Sequence, residues 1–162
     1  MIFLTVGTQL PFDRLVSALD DAHPKIGLPV LAQICKGNYN PRNFSEVYDH
    51  ISKAEYDQIF IKASVIVSHA GMGSIITSLL HNKPVVVMPR LASLGEHRNE
   101  HQSATCKRLE GISGLYVSRS PEELLASIRK AIDSPRNASK LSAEELIFNL
   151  KHRIFSNEKN SH

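Results

Sequence analysis

The stretch over residues 64–75, with the sequence SVIVSHAGMGSI, decides the fold of this chain. Its first five residues are apolar at every central position, which predicts a strand over 64–68 that is buried on both faces, as in a parallel sheet. The glycines at 71 and 73 then predict a sharp turn into a helix over 71–81, because glycine lets the backbone turn without a Cβ in the way. A buried strand followed at once by a helix is the repeating unit of an α/β protein.

The rest of the chain repeats this alternation. Short apolar runs predict strands over residues 1–6, 28–35, 64–68, 84–89 and 115–117, with a short strand or an irregular segment over 44–50. Apolar residues at helical spacing predict helices over residues 11–22, 54–63, 71–81, 97–109, 121–132 and from 142 onward, with a loop over 90–96. The pattern predicts an α/β fold, a mostly parallel sheet with helices on both faces. We expect one domain over 1–155 and a disordered polar tail over 156–162.

Two details concern the C-terminal helix. Ser142 and Glu145 have the spacing of a capping box, which marks a helix start. The apolar stripe Leu146, Leu150 and Ile154 either packs on the chain's own sheet or reaches across to a partner.

The composition excludes several classes of protein. The 162 residues are 42% hydrophobic and 22% charged, as in a soluble globular domain, and no apolar run approaches the length of a membrane-spanning helix. The net charge of +3 and the absence of Trp argue against a nucleic-acid partner. The first residues are too short an apolar run for a signal peptide, so we expect Cys35 and Cys106 to be buried, reduced thiols in a cytoplasmic protein.

Polar, glycine-rich segments follow three of the predicted strands. Gly7-Thr8-Gln9 follows the first strand, and His69-Ala70-Gly71-Met72-Gly73-Ser74 follows the strand over 64–68. The strand over 84–89 runs into a polar loop that leads to His101 and Gln102. Because ligands of parallel α/β sheets bind beyond the carboxyl ends of the strands, these segments predict a ligand crevice.

The Gly71-Met72-Gly73-Ser74 turn is the strongest candidate for an anion site. A helix that begins there directs its free N–H groups and the positive end of its dipole at the turn, and Ser74 adds a hydroxyl donor. The pattern therefore predicts a phosphate or diphosphate cradle, or else a tight turn without a ligand. It contains neither the lysine of a P-loop nor the Gly-x-Gly-x-x-Gly fingerprint. His69 either faces the same crevice or bonds a neighbouring carbonyl.

A second pattern points to different chemistry. His97-Arg98-Asn99-Glu100-His101 matches the H-x-x-E-H pattern of some zinc proteases. On a helix, His97 and His101 would face the same side and could share a metal ion. A zinc hydrolase that uses His97, Glu100 and His101 is therefore an alternative hypothesis.

Taken together, these segments resemble the donor half of family 28 glycosyltransferases. The resemblance rests on Ser68–Ile75, on Lys83-Pro84 with the strand to Pro89, and on His101-Gln102, and it includes the N-terminal stretch Thr5–Leu15. It covers roughly residues 1–125. It is closest to small single-domain members such as the bacterial exopolysaccharide glycosyltransferase subunits and the eukaryotic catalytic subunit of the lipid-linked N-acetylglucosaminyltransferase. Pro89-Arg90-Leu91 and Gly95-Glu96-His97 look most like the bacterial branch.

The resemblance implies a Rossmann-like domain that forms one half of a GT-B fold. It implies a donor-binding subunit that moves a sugar from a UDP-sugar to a lipid-linked glycan acceptor, without a metal or other cofactor. The acceptor site, and the general base with it, would belong to a membrane-anchored partner subunit that holds this chain at the membrane, and His69 would be a possible catalytic residue. The implied donor-binding residues are Gly7, Thr8, Gln9, His69, Gly71, Met72, Gly73, Ser74, Thr77, His101 and Gln102.

One position departs from the family pattern. Relatives usually carry a glutamate that bonds the ribose hydroxyls where this chain has Thr77. A threonine hydroxyl could still bond the ribose, but a charge-assisted acceptor is lost. A non-catalytic, nucleotide-binding regulatory subunit is therefore the alternative within the same fold.

Overall fold

The computed structural model describes residues 1–133 and 142–156. Its strands are β1 (Ile2–Thr5), β2 (Val30–Gln33), β3 (Glu46–Tyr48), β4 (Val65–His69), β5 (Val85–Met88) and β6 (Leu115–Val117). Its helices are α1 (Asp13–Ala22), α2 (Lys53–Lys62), α3 (Met72–Leu80), α4 (His101–Leu109), α5 (Pro121–Asp133) and α6 (Ala143–Phe155). All strand pairs are parallel, in the order β3-β2-β1-β4-β5-β6. The predicted Rossmann-like α/β fold is confirmed.

Each central strand contributes side chains to two hydrophobic cores, one on each side of the sheet, because successive side chains of a strand point to opposite faces. On one face, Leu4 and Val67 pack with apolar residues of α1 and α5. On the other face, Phe3 and Ile66 pack with apolar residues of α2, α3, α4 and α6. A strand that is buried on both faces carries apolar side chains on each face, which explains the apolar runs in the sequence.

The C-terminal helix packs on the chain's own domain. Leu146 and Leu150 are buried in the core with α3 and α4, and the Arg108 guanidinium donates to the Ile154 carbonyl at 2.6 Å. The capping box predicted at Ser142 and Glu145 forms, with each side chain bonded to the other residue's backbone N–H.

The segment over 44–50 contains the short edge strand β3, the first of the two predicted alternatives. Two other segments differ from the prediction. The loop over 90–96 contains a 3₁₀ turn, Ala92–Leu94. The helix predicted over 97–109 begins only at His101. The Asn99 carboxamide oxygen accepts from the His101 N–H and bonds the His97 ring, and such local side-chain bonds compete with a helix. Of the predicted tail, only Ser156 lies within the described residues.

Two smaller expectations can be compared with the structure. Cys35 and Cys106 are both buried free thiols, as predicted. In the part of the chain that the structure describes, no helix has the length and apolar character needed to cross a bilayer.

Candidate functional site

The candidate site lies where the strand order reverses. β1 stands between β2 and β4, so the chain crosses over in opposite directions on either side of it. In such sheets a crevice opens at this point, beyond the carboxyl ends of the strands. The loops that follow β1, β4 and β5 meet there and carry the residues that the sequence singled out.

The first of two pockets at this edge lies against the N-terminus of α3. Its volume is about 290 Å³, and it combines residues from the loop after β1, the end of β2 and two helices. Gly71 is the N-cap in an extended conformation, and no side chain among the described residues caps the helix. The first-turn N–H groups of α3 are thus not occupied by a side chain, as an anion site requires. The lining residues are Thr5, Gly7, Thr8, Gln33, His50, Ile51, Tyr56, Gly73, Ser74 and Thr77.

The second pocket adjoins the first. It has a volume of about 310 Å³, and Gly7 and Thr8 line both pockets. The lining residues of the second pocket are Val6, Gly7, Thr8, Gln9, Leu10, His69, Arg90, His97 and Gln102. Together the two pockets contain eight of the eleven predicted donor-binding residues, all except Gly71, Met72 and His101.

His69 explains two of the glycines. A Cβ at Gly71 would overlap Nε2 of the His69 ring, and a Cβ at Gly7 would lie 3.0 Å from its Cε1. Gly7 also has a φ of +83°, a conformation that favours glycine. We expected glycine at 71 to admit a ligand, but the space beside it is filled by the ring of His69. Gly73 differs, because nothing lies within 4 Å of the position a Cβ would take.

The His69 ring is electrically neutral at neutral pH. Burial, followed by the charges of Arg90 and His97, lowers the pKa of His69 to about 4. Its Nδ1 is buried and has no hydrogen-bond partner among the described residues. A group with this pKa is a weak general base at neutral pH, but it can form a hydrogen bond with a ligand in the second pocket.

Sequence reasoning missed two buried side chains that shape the loop after β1. Gln33, at the end of β2, donates from Nε2 to the Gly7 carbonyl at 2.9 Å and accepts from the Thr5 hydroxyl. Arg90, directly after Pro89, donates to the carbonyls of Val6, Leu10 and Pro11. The sequence signal that could have identified Gln33 and Arg90 is a polar residue at or just after the end of a buried strand, where the chain enters the crevice.

Gln102 is held by the same segment. Its Oε1 accepts from the Arg90 backbone N–H at 3.0 Å. The amide oxygen is therefore fixed on the backbone, and the amino group is the end that remains to bond a ligand in the second pocket. His101, one residue earlier, is exposed and lines neither pocket.

The premise of the zinc alternative is wrong. His97 lies before α4 rather than on it, so the pair does not share one helical face. His97 lines the second pocket, while the Glu100 carboxylate accepts from the N–H groups of Ala92 and Ser93. Over residues 1–133 and 142–156, no group of three or more His, Cys, Asp or Glu side chains is arranged to hold a metal ion.

Residues 1–154 match the model of the glycosyltransferase family 28 C-terminal domain. The chain belongs to this family. The UDP-N-acetylglucosamine transferase subunit ALG13 of Eremothecium gossypii is 32% identical over 96 residues, a match that covers 56% of this chain. The matched region spans about half of that relative, 45% of its length.

Solved structures confirm the fold. An NMR structure of ALG13 has a TM-score of 0.62 at 16% identity, and the match covers 95% of each chain. MurG of Acinetobacter baumannii has a TM-score of 0.59 at 19% identity, with 93% of this chain but only 45% of MurG covered. The domain thus corresponds to one half of a two-domain GT-B glycosyltransferase, as the resemblance implied.

Proposed function

We propose that this chain is the donor-binding subunit of a two-component glycosyltransferase that uses a UDP-sugar. The observation that carries the proposal is the pair of adjoining pockets that share Gly7 and Thr8. The uncapped start of α3 suits the diphosphate, since helix N–H groups and the positive dipole end stabilise anions. A leaving diphosphate held in this way requires no metal ion, and we propose none.

The nucleoside and the sugar fit the two pockets on either side of that point. The first pocket offers Tyr56 and Ile51 as apolar surface for a base, with the Thr77 hydroxyl near the ribose. The second pocket offers the Gln102 amino group, Gln9 and His69 to the hydroxyl groups of a sugar. This arrangement supports the predicted roles of these residues in binding the donor.

The acceptor half is proposed to come from another chain. Among the described residues, no Asp or Glu lines either pocket, and His69 has the low pKa given above. We propose that the partner supplies the base that deprotonates the acceptor hydroxyl, together with the acceptor site. By similarity to ALG13, which is named as a transferase subunit, we propose a partner subunit. From the family resemblance we further propose that this partner is membrane-anchored, that the acceptor is a lipid-linked glycan, and that this chain is cytoplasmic and peripheral at the membrane.

The departure at Thr77, where the family resemblance implies a glutamate, supports the alternative of a regulatory subunit that binds a nucleotide without turnover. Two measurements separate the possibilities. Calorimetric titration with UDP tests the donor site, and absence of binding would contradict both hypotheses. Steady-state sugar transfer to lipid-linked acceptors is then followed with and without the partner subunit. Turnover that requires both chains supports the catalytic subunit. Sustained turnover by this chain alone would contradict the two-component proposal, and turnover by the partner alone, at a rate that this chain changes, would favour the regulatory alternative.

A further inference from the structure

Arg90 is a buried cation whose side chain bonds mainly to backbone oxygens. Arg90 is only 3% exposed. Its guanidinium donates to the carbonyls of Val6 at 3.0 Å, Leu10 at 2.8 Å and Pro11 at 2.6 Å. The Phe12 ring lies beneath it, with 4.6 Å from Cζ to the ring centroid. Burial of a permanent charge is costly unless its donors are bonded, so this fork of bonds fixes the loop that carries the three carbonyls.

The neighbouring ion pair does not neutralise Arg90. Arg14 donates to both carboxylate oxygens of Glu96 at 2.8 Å, a bidentate pair that matches one charge with one charge. Among residues 1–133 and 142–156, Arg90 forms no salt bridge. The cluster of Arg14, Arg90 and Glu96 therefore leaves one net positive charge at the wall of the second pocket, which Arg90 itself lines.

Four backbone carbonyls of the loop over residues 6–11 accept hydrogen bonds from buried side chains. Arg90 takes the carbonyls of Val6, Leu10 and Pro11, while Gln33 Nε2 and Cys35 Sγ both donate to the Gly7 carbonyl, at 2.9 and 3.1 Å. Carbonyl oxygens carry partial negative charge and repel an anion, and hydrogen bonds from these donors offset that charge. Thr8 and Gln9, at the tip of the loop, are exposed and line the crevice.

We propose that Arg90 is a positioning residue for an anionic ligand in the crevice. Its guanidinium holds the carbonyl groups of loop 6–11 so that the tip presents donors rather than acceptors, and its own charge adds to the attraction for the anion. Insofar as the anion is the diphosphate of a nucleotide, this inference rests on the proposed function.

The test compares R90K with R14K. Lysine keeps the charge but cannot reproduce the fork of a guanidinium. Arg14 is a matched control, because it lies over the same Phe12 ring but its side chain donates to Glu96, Met88 and Pro89 and not to loop 6–11. Thermal melting establishes that each variant is folded. Amide NMR spectra then report the conformation of Thr8 and Gln9, and calorimetry reports the affinity for UDP.

We expect R90K to shift the amide signals of Thr8 and Gln9 and to weaken UDP binding about tenfold or more, while R14K changes affinity less than about twofold. Unmoved amides with wild-type affinity in R90K would overturn the proposal, and so would equal losses in the two variants. If the wild-type chain does not bind UDP, the proposed function fails. The same titrations with inorganic diphosphate then decide whether Arg90 prepares an anion site.

A measurement on the wild-type protein covers the case in which R90K does not fold. Hydrogen bonds to three carbonyls should slow rotation of the Arg90 guanidinium about its Nε–Cζ bond, which nitrogen-15 NMR of the side chain detects. Exposed Arg98 provides the reference in the same spectrum. Slow rotation at Arg90 supports the proposal, and rotation as fast as that of Arg98 would contradict it.

Discussion

Asp20 and Arg90 each hold a loop from a buried position, but they carry opposite charges. The Asp20 carboxylate, on α1, accepts from the backbone N–H groups of Arg42 and Asn43, both at 2.9 Å, and from the Tyr39 hydroxyl at 2.8 Å. Arg90 instead collects carbonyl oxygens of loop 6–11. The Asp20 carboxylate thus bonds to N–H donors of the 39–43 segment, whereas the Arg90 guanidinium bonds to carbonyl acceptors of loop 6–11.

The difference separates a structural loop from a binding loop. In the segment over 39–43, the backbone N–H groups of Arg42 and Asn43 bond to Asp20 and are not available to an anion. Loop 6–11 places the exposed residues Thr8 and Gln9 at the crevice, next to the start of α3. Asp20 and Arg90 are similarly buried, with 2% and 3% of their surface exposed. Their effects differ because Asp20 bonds backbone N–H groups and Arg90 bonds backbone carbonyls.

Asp20→Ala should lower the free energy of unfolding by about 3 kcal/mol, because the N–H groups of Arg42 and Asn43 and the Tyr39 hydroxyl lose the buried carboxylate that accepts their hydrogen bonds. UDP affinity should stay unchanged, since the crevice lies at the other loop. Urea unfolding and calorimetry measure the two effects. Asp21→Ala is the matched control, because Asp21 is the adjacent acidic residue and is exposed. Equal costs for the two variants would show that Asp20 does not hold its loop.

The pH dependence of stability should distinguish the two regions. The pKa of His69 is about 4 in the folded chain and 6.5 as the ordinary value, so the unfolded chain binds the proton more readily between these values. Its contribution is complete above pH 6.5 and declines as the pH falls, by about 2 kcal/mol between pH 7 and pH 5. Urea unfolding at a series of pH values measures it.

Asp20 acts in a lower window. Burial alone would raise the pKa of its carboxyl, but the hydrogen bonds from Arg42, Asn43 and Tyr39 outweigh burial and lower the pKa from 3.8. Its contribution is present above pH 3.8 and is lost as the pH falls through the lowered value. His69→Gln should flatten the loss between pH 7 and pH 5, and Asp20→Asn should not. A wild-type loss that persists in His69→Gln would assign it to another group.

The order of elements could be predicted from the sequence because each buried strand has an unbroken apolar run. The same runs placed Gly7, His69 and Gln102 at one edge of the sheet, since parallel strands end together. The start of α4 could not be predicted. Local polar bonds of Asn99 and Glu100 compete there with the helix, and a helical pattern does not reveal such competition.

The internal supports of the site were also beyond sequence reasoning. Arg90 contacts Val6, 84 residues earlier, and Gln33 contacts Gly7, 26 residues earlier. Periodicity reports which face a residue occupies, but it does not report which distant carbonyl a buried side chain reaches. The need for glycine at position 71 could not be predicted either, because only the structure shows that the His69 ring fills the space beside it.

Gly73→Val tests the open side of the α3 turn. Nothing lies within 4 Å of the position that a Cβ at residue 73 would take, so the fold should remain, with a stability change of about 1 kcal/mol or less. A valine there would intrude on the phosphate position, and UDP affinity should fall about tenfold or more, or about 1.4 kcal/mol. Gly71→Ala is the contrasting variant, because its methyl group collides with the His69 ring and should reduce stability. Unchanged UDP affinity in folded Gly73→Val would remove the diphosphate from this turn.

Thr77→Glu should produce the smallest change, and it is the one change expected to improve binding. Thr77 lines the first pocket together with Ser74 and Tyr56, at the position where the family resemblance implies a glutamate. A carboxylate there would accept charge-assisted hydrogen bonds from the ribose hydroxyls, and UDP should bind more tightly by about 1 kcal/mol. Calorimetric titration of the wild-type chain and the variant measures the difference.

Thr77→Gln is the matched control, because glutamine has nearly the same length and shape but no charge. If the gain comes from a carboxylate on the ribose, glutamine should reproduce only part of it. The gain of Thr77→Glu should also shrink with the 2′-deoxy nucleotide, which offers one hydroxyl fewer. Weaker UDP binding by Thr77→Glu than by the wild-type chain would place the new charge near the diphosphate instead, and the nucleoside would then lie elsewhere than in the first pocket.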